Sequence, residues 1–184
     1  MSHWKDFPVP AMRHEALYGD RIVRCFAQRP SSFWAMFDAT RASSGQQDAV
    51  AFEGRRWSYD ETGRAAEALA GHFADRGIAP GERVLLFMGN RPDFVFVLLA
   101  LQRLGAIAVP VGVREQRPGL AYIAGQCEAR AIVFDDALTD RVPEAGEAPT
   151  LALRLQASTA AALAGTPSKA PALPAAAPTD VAVV

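Results

Sequence analysis

The sequence predicts an α/β domain in which a largely parallel sheet is covered by helices on both faces. Strand-like and helical segments alternate along residues 58–135, an order typical of parallel sheets joined by helical crossovers. The strand-like segments are apolar throughout, as expected for strands that are buried on both sides. A length of 184 residues suits one domain with one hydrophobic core.

The first 30 residues show no sustained hydrophobic period, so residues 1–30 are predicted to form an N-terminal arm. A helix is predicted to begin after Ser31 and to end at Gly45. The apolar face of this helix is predicted from residues at helical spacing, namely Phe33, Met36, Phe37 and Thr40.

Two short strands are predicted next, at residues 49–53 and 56–59, forming a hairpin. Ser58 and Glu61 then match the capping box that starts a helix, because each can satisfy a free amide at the helix end. Gly77 is predicted to end this helix in the left-handed conformation. The predicted buried stripe consists of Ala66, Leu69, Ala70 and Phe73.

The centre of the chain alternates between apolar strands and helices. Strands are predicted at residues 83–88, 107–111 and 131–135, and two intervening helices begin near Pro92 and Pro118. The apolar faces of the two helices comprise Phe94, Val97, Leu98 and Leu101 in the first, and Leu120, Ile123, Ala124 and Cys127 in the second.

The composition changes after Arg141, where alanine and proline become frequent and aromatic residues are absent. Alternating leucines predict one more strand near residues 151–155, so the α/β lobe is assigned to residues 31–155. Residues 156–179 are predicted to be an Ala/Pro-rich linker or mobile loop. Residues 180–184 read as the start of the next core strand.

Charge and cysteine content exclude several classes of protein. The 19 basic and 20 acidic side chains give a formal charge of -1, so no nucleic-acid partner is expected. Two cysteines, Cys25 and Cys127, are too few for a disulfide framework or a four-ligand zinc site. No export signal is recognisable near the N-terminus, and we expect a cytoplasmic protein.

Residues 94–113 are apolar and long enough to cross a bilayer. Arg103 near the middle would cost about 2.5 to 3.5 kcal/mol on insertion, and Gly105 and Pro110 interrupt a continuous helix. We therefore predict a buried helix followed by a buried strand, and no transmembrane segment.

No catalytic or metal-ligating residue can be assigned from local motifs. The sequence contains no G-x-x-x-x-G-K-[ST], G-x-G-x-x-G, H-E-x-x-H or G-x-S-x-G. Ser2 and Lys5 match S-x-x-K by chance near the terminus, and His72 is interpreted as a structural or solvated side chain. Cys127 is interpreted as a small core hydrophobe.

The order of the elements over residues 57–136 resembles the N-terminal region of the acyl-adenylate-forming superfamily. This superfamily includes acyl-CoA and aryl-CoA synthetases, adenylation domains of peptide synthetases and luciferases. The segments that carry the resemblance are, in order, WSYDE, GIAPGERV, GNRPDF, RLGAIAVPV and ARAIVFDD.

This resemblance implies a fold and a reaction. The chain would be the N-terminal lobe of the adenylate-forming fold, ending before the phosphate loop, which in the family follows a strand resembling TDVAVV. The complete enzyme would use ATP, Mg and CoA to convert a small-molecule carboxylic acid first to an acyl adenylate and then to a thioester. The chain alone is expected to be inactive, to bind none of these tightly and to self-associate.

The branch of the superfamily is predicted from residues 103–123, RLGAIAVPVGVREQRPGLAYI. This segment resembles acid:CoA ligases more than the adenylation domains of peptide synthetases. Gly112 and Val113 replace the Asn and Pro that are common there, whereas Arg114 is kept. The resemblance implies that Arg114 contacts a CoA phosphate; the alternative is a solvated surface arginine. Two other functions stay open: an adenylation domain that delivers an amino or aryl acid to a carrier protein, and a non-catalytic binding or dimerisation module.

Overall fold

The structure is a computed structural model, and it describes residues 8–172, 174, 175, 177 and 180–184. Ser2 and Lys5, with the start of the predicted arm, lie outside the described residues. The strands are β1 Met12–Leu17, β2 Arg21–Phe26, β3 Asp48–Phe52, β4 Arg55–Ser58, β5 Arg83–Phe87, β6 Ile107–Pro110, β7 Ala131–Phe134 and β8 Leu153–Gln156. The helices are α1 Phe33–Ser44, α2 Tyr59–Asp75, α3 Pro92–Leu104, α4 Arg117–Gln126, α5 Ala157–Ala164 and a 3-10 helix, Asp136–Arg141.

The central sheet is parallel, with strand order β6-β5-β7-β8. Residues 182–184 extend it beyond β6, because Ala108 donates to the Ala182 carbonyl and accepts from the Val184 amide, both at 3.0 Å. The predicted fold class is therefore confirmed. The final segment lies at the edge of the described sheet, where Val181, Val183 and Val184 are more than half exposed.

Each face of the sheet has its own hydrophobic core. On one face α2, α3 and α5 cover alternate residues of the strands, including Val84, Leu86 and Val133. On the other face α4 and the chain around residues 142–151 cover Leu85 and the remaining alternate residues. Both faces are buried, which explains why the strands are apolar throughout.

Helix α2 forms as its sequence predicts. Ser58 accepts from the Glu61 amide at 3.2 Å, while the Glu61 carboxylate accepts from the Ser58 amide at 2.8 Å. Gly77 follows the helix with φ +81°, a conformation that only glycine adopts without strain. All four residues of the predicted stripe are at most 1% exposed.

The buried face of α1 differs from the predicted one. Phe33 and Met36 are 43% and 47% exposed, whereas Trp34 is 2% exposed. Trp34 packs with Ala66 and Leu99, which belong to α2 and α3. Helical spacing alone allows either face, and burial of the larger indole surface against two neighbouring helices selects the one that contains Trp34.

Most of the predicted N-terminal arm is a β-hairpin in which β1 and β2 pair antiparallel. The pairing was not predicted because β1 contains charged residues and its apolar residues do not alternate strictly. Glu15, in the middle of β1, joins the hairpin to the segment that follows β2 through two bonds from Arg29, at 2.9 and 2.7 Å.

The segment predicted as a linker, residues 156–179, begins with helix α5. Ala157 and Ala160 are fully buried against the sheet, which gives alanine-rich sequence a packing face that composition does not reveal. Beyond α5, Ser168 lies against Gly71, where an added Cβ would be 2.4 Å from the Ser168 Oγ. In the described part of the chain, no helix is long and apolar enough to cross a membrane.

Candidate functional site

The carboxyl ends of the parallel strands define the candidate site. The chain runs from β5 to β6 on one side and then returns to place β7 on the other side of β5. In doubly wound sheets, ligands bind outside the carboxyl ends of the strands, at the point where the strand order reverses. This point lies between β5 and β7.

Arg91 and Asp135 meet at this reversal point. Asp135 directly follows β7, and its carboxylate accepts from the Gly89 amide at 2.7 Å and from Arg91 Nη1 at 3.1 Å. Arg91 also pairs with Asp93, at 2.7 Å, in the first turn of α3. Burial opposes the charge of Arg91, but its bonds to Asp93 and Asp135 outweigh burial and raise the pKa of the guanidinium.

A groove of about 430 Å³ lies beside this ion pair. Its other wall belongs to the β3–β4 hairpin, where the Arg55 guanidinium lies 4.5 Å from the centroid of the Trp57 ring. Asn90, which follows Gly89 in the loop after β5, also lines the groove. The groove therefore combines a cation, an aromatic face and amide groups.

Asp136 connects the ends of β7 and β8. Its carboxylate accepts from the Ser158 hydroxyl and, at 3.0 Å, from the Ser158 amide in the first turn of α5. These two bonds stabilise the charged form and lower the pKa of Asp136. Asp136 thus acts as the N-terminal cap of a helix far away in the sequence.

Arg114 lies in a β-turn after β6, at the same edge of the sheet. The turn spans residues 112–115 and is closed by a 2.9 Å bond from the Glu115 amide to the Gly112 carbonyl. Arg114 is exposed, and within the described residues its guanidinium makes no hydrogen bond or ion pair. This placement leaves the assigned role of Arg114 as a prediction.

The remaining sequence-predicted residues lie elsewhere. His72 lies on α2, and its Nε2 atom is 3.1 Å from the Thr166 carbonyl oxygen. Cys127 ends α4, and burial raises the pKa of its thiol, which disfavours the nucleophilic thiolate. Both cysteines are free.

Sequence reasoning missed Arg91, Asp135, Asp136 and Ser158 as a connected set. The available signal was position, because each polar residue follows an apolar strand, and parallel strands place such residues at one edge. Within the described ranges, no three His, Cys, Asp or Glu side chains come together as a metal site. Asp135 and Asp136 are bound to Gly89, Arg91 and Ser158, and we assign neither carboxylate to Mg²⁺.

Comparison with known proteins gives a family. Residues 37–184 match the family model described as AMP-binding enzyme. Since this match covers most of the chain, the protein belongs to the AMP-binding enzyme family.

Relatives of known sequence include long-chain fatty acid transport protein 1 of Rattus norvegicus, 30% identical over 139 residues, which are 74% of this chain and 20% of the rat protein. Crotonobetaine/carnitine–CoA ligase of Proteus mirabilis is 33% identical over 82 residues, covering 45% of this chain and 16% of that protein. The chain therefore spans about a fifth or less of the length of these relatives.

Two solved structures share the fold. The N-terminal domain of FACL13 from Mycobacterium tuberculosis superposes with a TM-score of 0.71 and 21% identity, covering 77% of this chain and 37% of that one. The fused adenylation-PCP di-domain NpsA-ThdA from Klebsiella oxytoca superposes with a TM-score of 0.75 and 20% identity. The match covers 86% of this chain and 28% of that one. Together with the family match over residues 37–184, this shared fold confirms the predicted resemblance to N-terminal regions of adenylate-forming enzymes.

Proposed function

We propose that these residues form the N-terminal part of an AMP-forming acid:CoA ligase. In this reaction a carboxylate oxygen attacks the α-phosphorus of ATP, releasing pyrophosphate and forming an acyl adenylate. The CoA thiolate then attacks the acyl carbon, and AMP leaves. The observation that carries the proposal is the family match over residues 37–184.

The carboxyl edge of the sheet supports the CoA step. Arg114 projects from a closed turn and has an exposed guanidinium, which suits bidentate binding of a phosphate. No step is assigned to Mg²⁺.

The 184-residue chain alone is proposed to be inactive. Stabilising the charge of a phosphoryl-transfer transition state requires preorganised amides, a cation and a metal. The sequence contains no Walker-type phosphate loop. Two free cysteines are consistent with a reducing compartment, and we propose a cytoplasmic location.

A second candidate is an adenylation domain that transfers its acyl group to a carrier protein. It is favoured by the structural likeness to the NpsA-ThdA di-domain over 86% of this chain. The two functions share the first half-reaction and differ only in the thiol acceptor.

The complete reading frame should be assayed for carboxylate-dependent exchange of pyrophosphate into ATP, and then for thioester formation with CoA or with a phosphopantetheinyl carrier. Residues 1–184 alone serve as the matched control and should show no exchange. Failure of a broad panel of carboxylic acids to support exchange would contradict the enzyme assignment. If the enzyme exchanges pyrophosphate and loads the carrier but forms no thioester with CoA, the second candidate is favoured.

A further inference from the structure

Two arginines cross-link the Arg114 turn and the start of α4 to the 3-10 helix that follows β7. Arg141, at the end of the 3-10 helix, donates from Nη1 to the Val113 carbonyl at 2.9 Å. In the opposite direction, Arg117 donates from Nε and Nη2 to the Asp140 carbonyl, at 3.2 and 2.5 Å. The turn and the start of α4 are therefore each joined to the 3-10 helix.

The orientation of the Val113 carbonyl distinguishes the two common types of this turn. It belongs to the central peptide of the turn, whose ends are joined by the Glu115 amide and the Gly112 carbonyl. This central peptide rotates when a turn changes between types I and II, and type II requires a positive φ at the third residue. Outside glycine, positive φ occurs in the described residues only at Tyr18, Glu53 and Glu128, so Arg114 is not in a type II turn.

A bond from Arg141 to the Val113 carbonyl opposes this rotation, and the direction of the Arg114 side chain depends on it. The three arginines also differ in their partners. Arg117 pairs with Glu144 at 3.3 Å and Glu147 at 3.5 Å, and Arg141 is bound to backbone. Arg114 alone of the three has its guanidinium exposed without a partner in the described residues.

We propose that Arg141 is a positioning residue that holds the 112–115 turn so that Arg114 faces its ligand, while Arg117 anchors the chain that follows the turn. The proposal rests on the proposed function, in which that ligand is a CoA phosphate. Holding the turn before binding removes the entropic cost of ordering it when the ligand arrives. Arg141 then acts through Arg114 and does not contact the phosphate itself.

The first test measures amide hydrogen exchange of residues 112–116 in the 184-residue chain. Arg141→Ala should speed exchange there roughly fivefold or more, since local opening becomes easier, and Arg141→Lys should have a smaller effect. The matched control is Arg76→Ala, which removes a 3.0 Å arginine-to-carbonyl bond to His72 on α2 and should leave residues 112–116 unchanged. Unchanged exchange in Arg141→Ala would overturn the proposal.

The second test measures binding of adenosine 3′,5′-bisphosphate, which carries phosphates like those of the CoA nucleotide, by NMR titration. Arg141→Ala should raise Kd about threefold to tenfold in the wild-type background. In an Arg114→Ala background, the same substitution should change Kd no further, because Arg141 acts through Arg114. Independent, multiplicative effects would show that Arg141 binds the phosphate directly and would overturn the positioning role.

The two tests separate this inference from the proposed function. If the unsubstituted chain gives no titration at millimolar bisphosphate, the CoA-phosphate role of Arg114 fails and the positioning role fails with it. The exchange result then reports a purely structural link between the turn and the 3-10 helix. If binding is seen and Arg114→Ala weakens it, the outcome of the Arg141 variants decides the inference alone.

Discussion

Arg91 and Asp135 form an ion pair, 3.1 Å from Nη1 to Oδ1, that joins the loop after β5 to the end of β7. The pair lies where the strand order of the sheet reverses. The Asp135 carboxylate also accepts a hydrogen bond from the Gly89 amide. Its position makes it a link between two crossover units that are separate in sequence.

Asp135→Ala should lower the free energy of unfolding by about 1 to 2 kcal/mol, because Gly89 and Arg91 lose an acceptor while partial exposure limits the cost. Asp135→Asn should lose less, since an amide oxygen still accepts from Gly89. Urea denaturation followed by circular dichroism measures both. Asp20→Asn, at the exposed hairpin turn, is the control. If Asp135→Ala unfolds at the same urea concentration as this control, the Arg91–Asp135 pair does not stabilise the fold.

Arg114→Ala in the complete enzyme should raise the KM for CoA between a few-fold and about a hundredfold, the range expected for one charge-assisted pair worth about 1 to 3 kcal/mol. The adenylation half-reaction should change little, because it precedes CoA. Arg114→Lys should recover part of the loss, since an ammonium keeps the charge but not the planar fork. Unaltered CoA kinetics would establish a solvated arginine, and lost adenylation a structural one.

Glu15 should make the hairpin sensitive to acid. The bonds from Arg29, and then from Arg13, lower the pKa of Glu15 from 4.5 to about 2. Because the folded-state pKa is depressed, this pairing stabilises the hairpin above pH 4.5 and is lost as the pH falls toward 2. NMR titration of hairpin amides should show this transition, and Glu15→Gln should remove it; a Glu15 carboxyl titrating near 4.5 would disprove the pairing.

Gly71→Ala should loosen the segment after α5. Alanine normally favours a helix over glycine by about 1 kcal/mol, but here the new Cβ would meet Ser168 Oγ at 2.4 Å and Lys169 backbone at 3.0 Å. Trypsin cleavage after Lys169 should therefore become several-fold faster. Gly125→Ala in α4, where nothing lies within 4 Å, should leave cleavage unchanged. Equal rates in both variants would show that the segment is mobile, as its composition predicts.

The 184-residue chain should self-associate through the edge at residues 182–184. Val183 is half exposed, and in the described residues this segment pairs only with Ala108 of β6, so open hydrogen-bonding groups and apolar side chains coincide. Val183→Lys should shift sedimentation profiles toward monomer, whereas Tyr122→Lys, at an exposed site on helix α4, should not. A monodisperse monomer at high concentration would contradict this.

Several elements were predictable because their determinants are local. The capping box at Ser58 and Glu61 and the left-handed Gly77 depend on residues within one turn. The parallel sheet was predictable because burial on both faces requires strands that are apolar throughout. The family resemblance over residues 57–136 rests on the order of these same elements.

The sequence predicted the order of the elements from α1 to β7, the parallel sheet, the ends of α1, α2 and α3, and the resemblance to an adenylate-forming family. The folded chain was needed to show that Trp34 is buried, that residues 157–164 form a helix, and that Arg141 reaches the turn of Arg114. The reason is that caps and periodicity act between residues a few positions apart. The selection of a helix face, the burial of alanines and the pairing of an arginine with a distant carbonyl depend on which elements the folded chain places side by side.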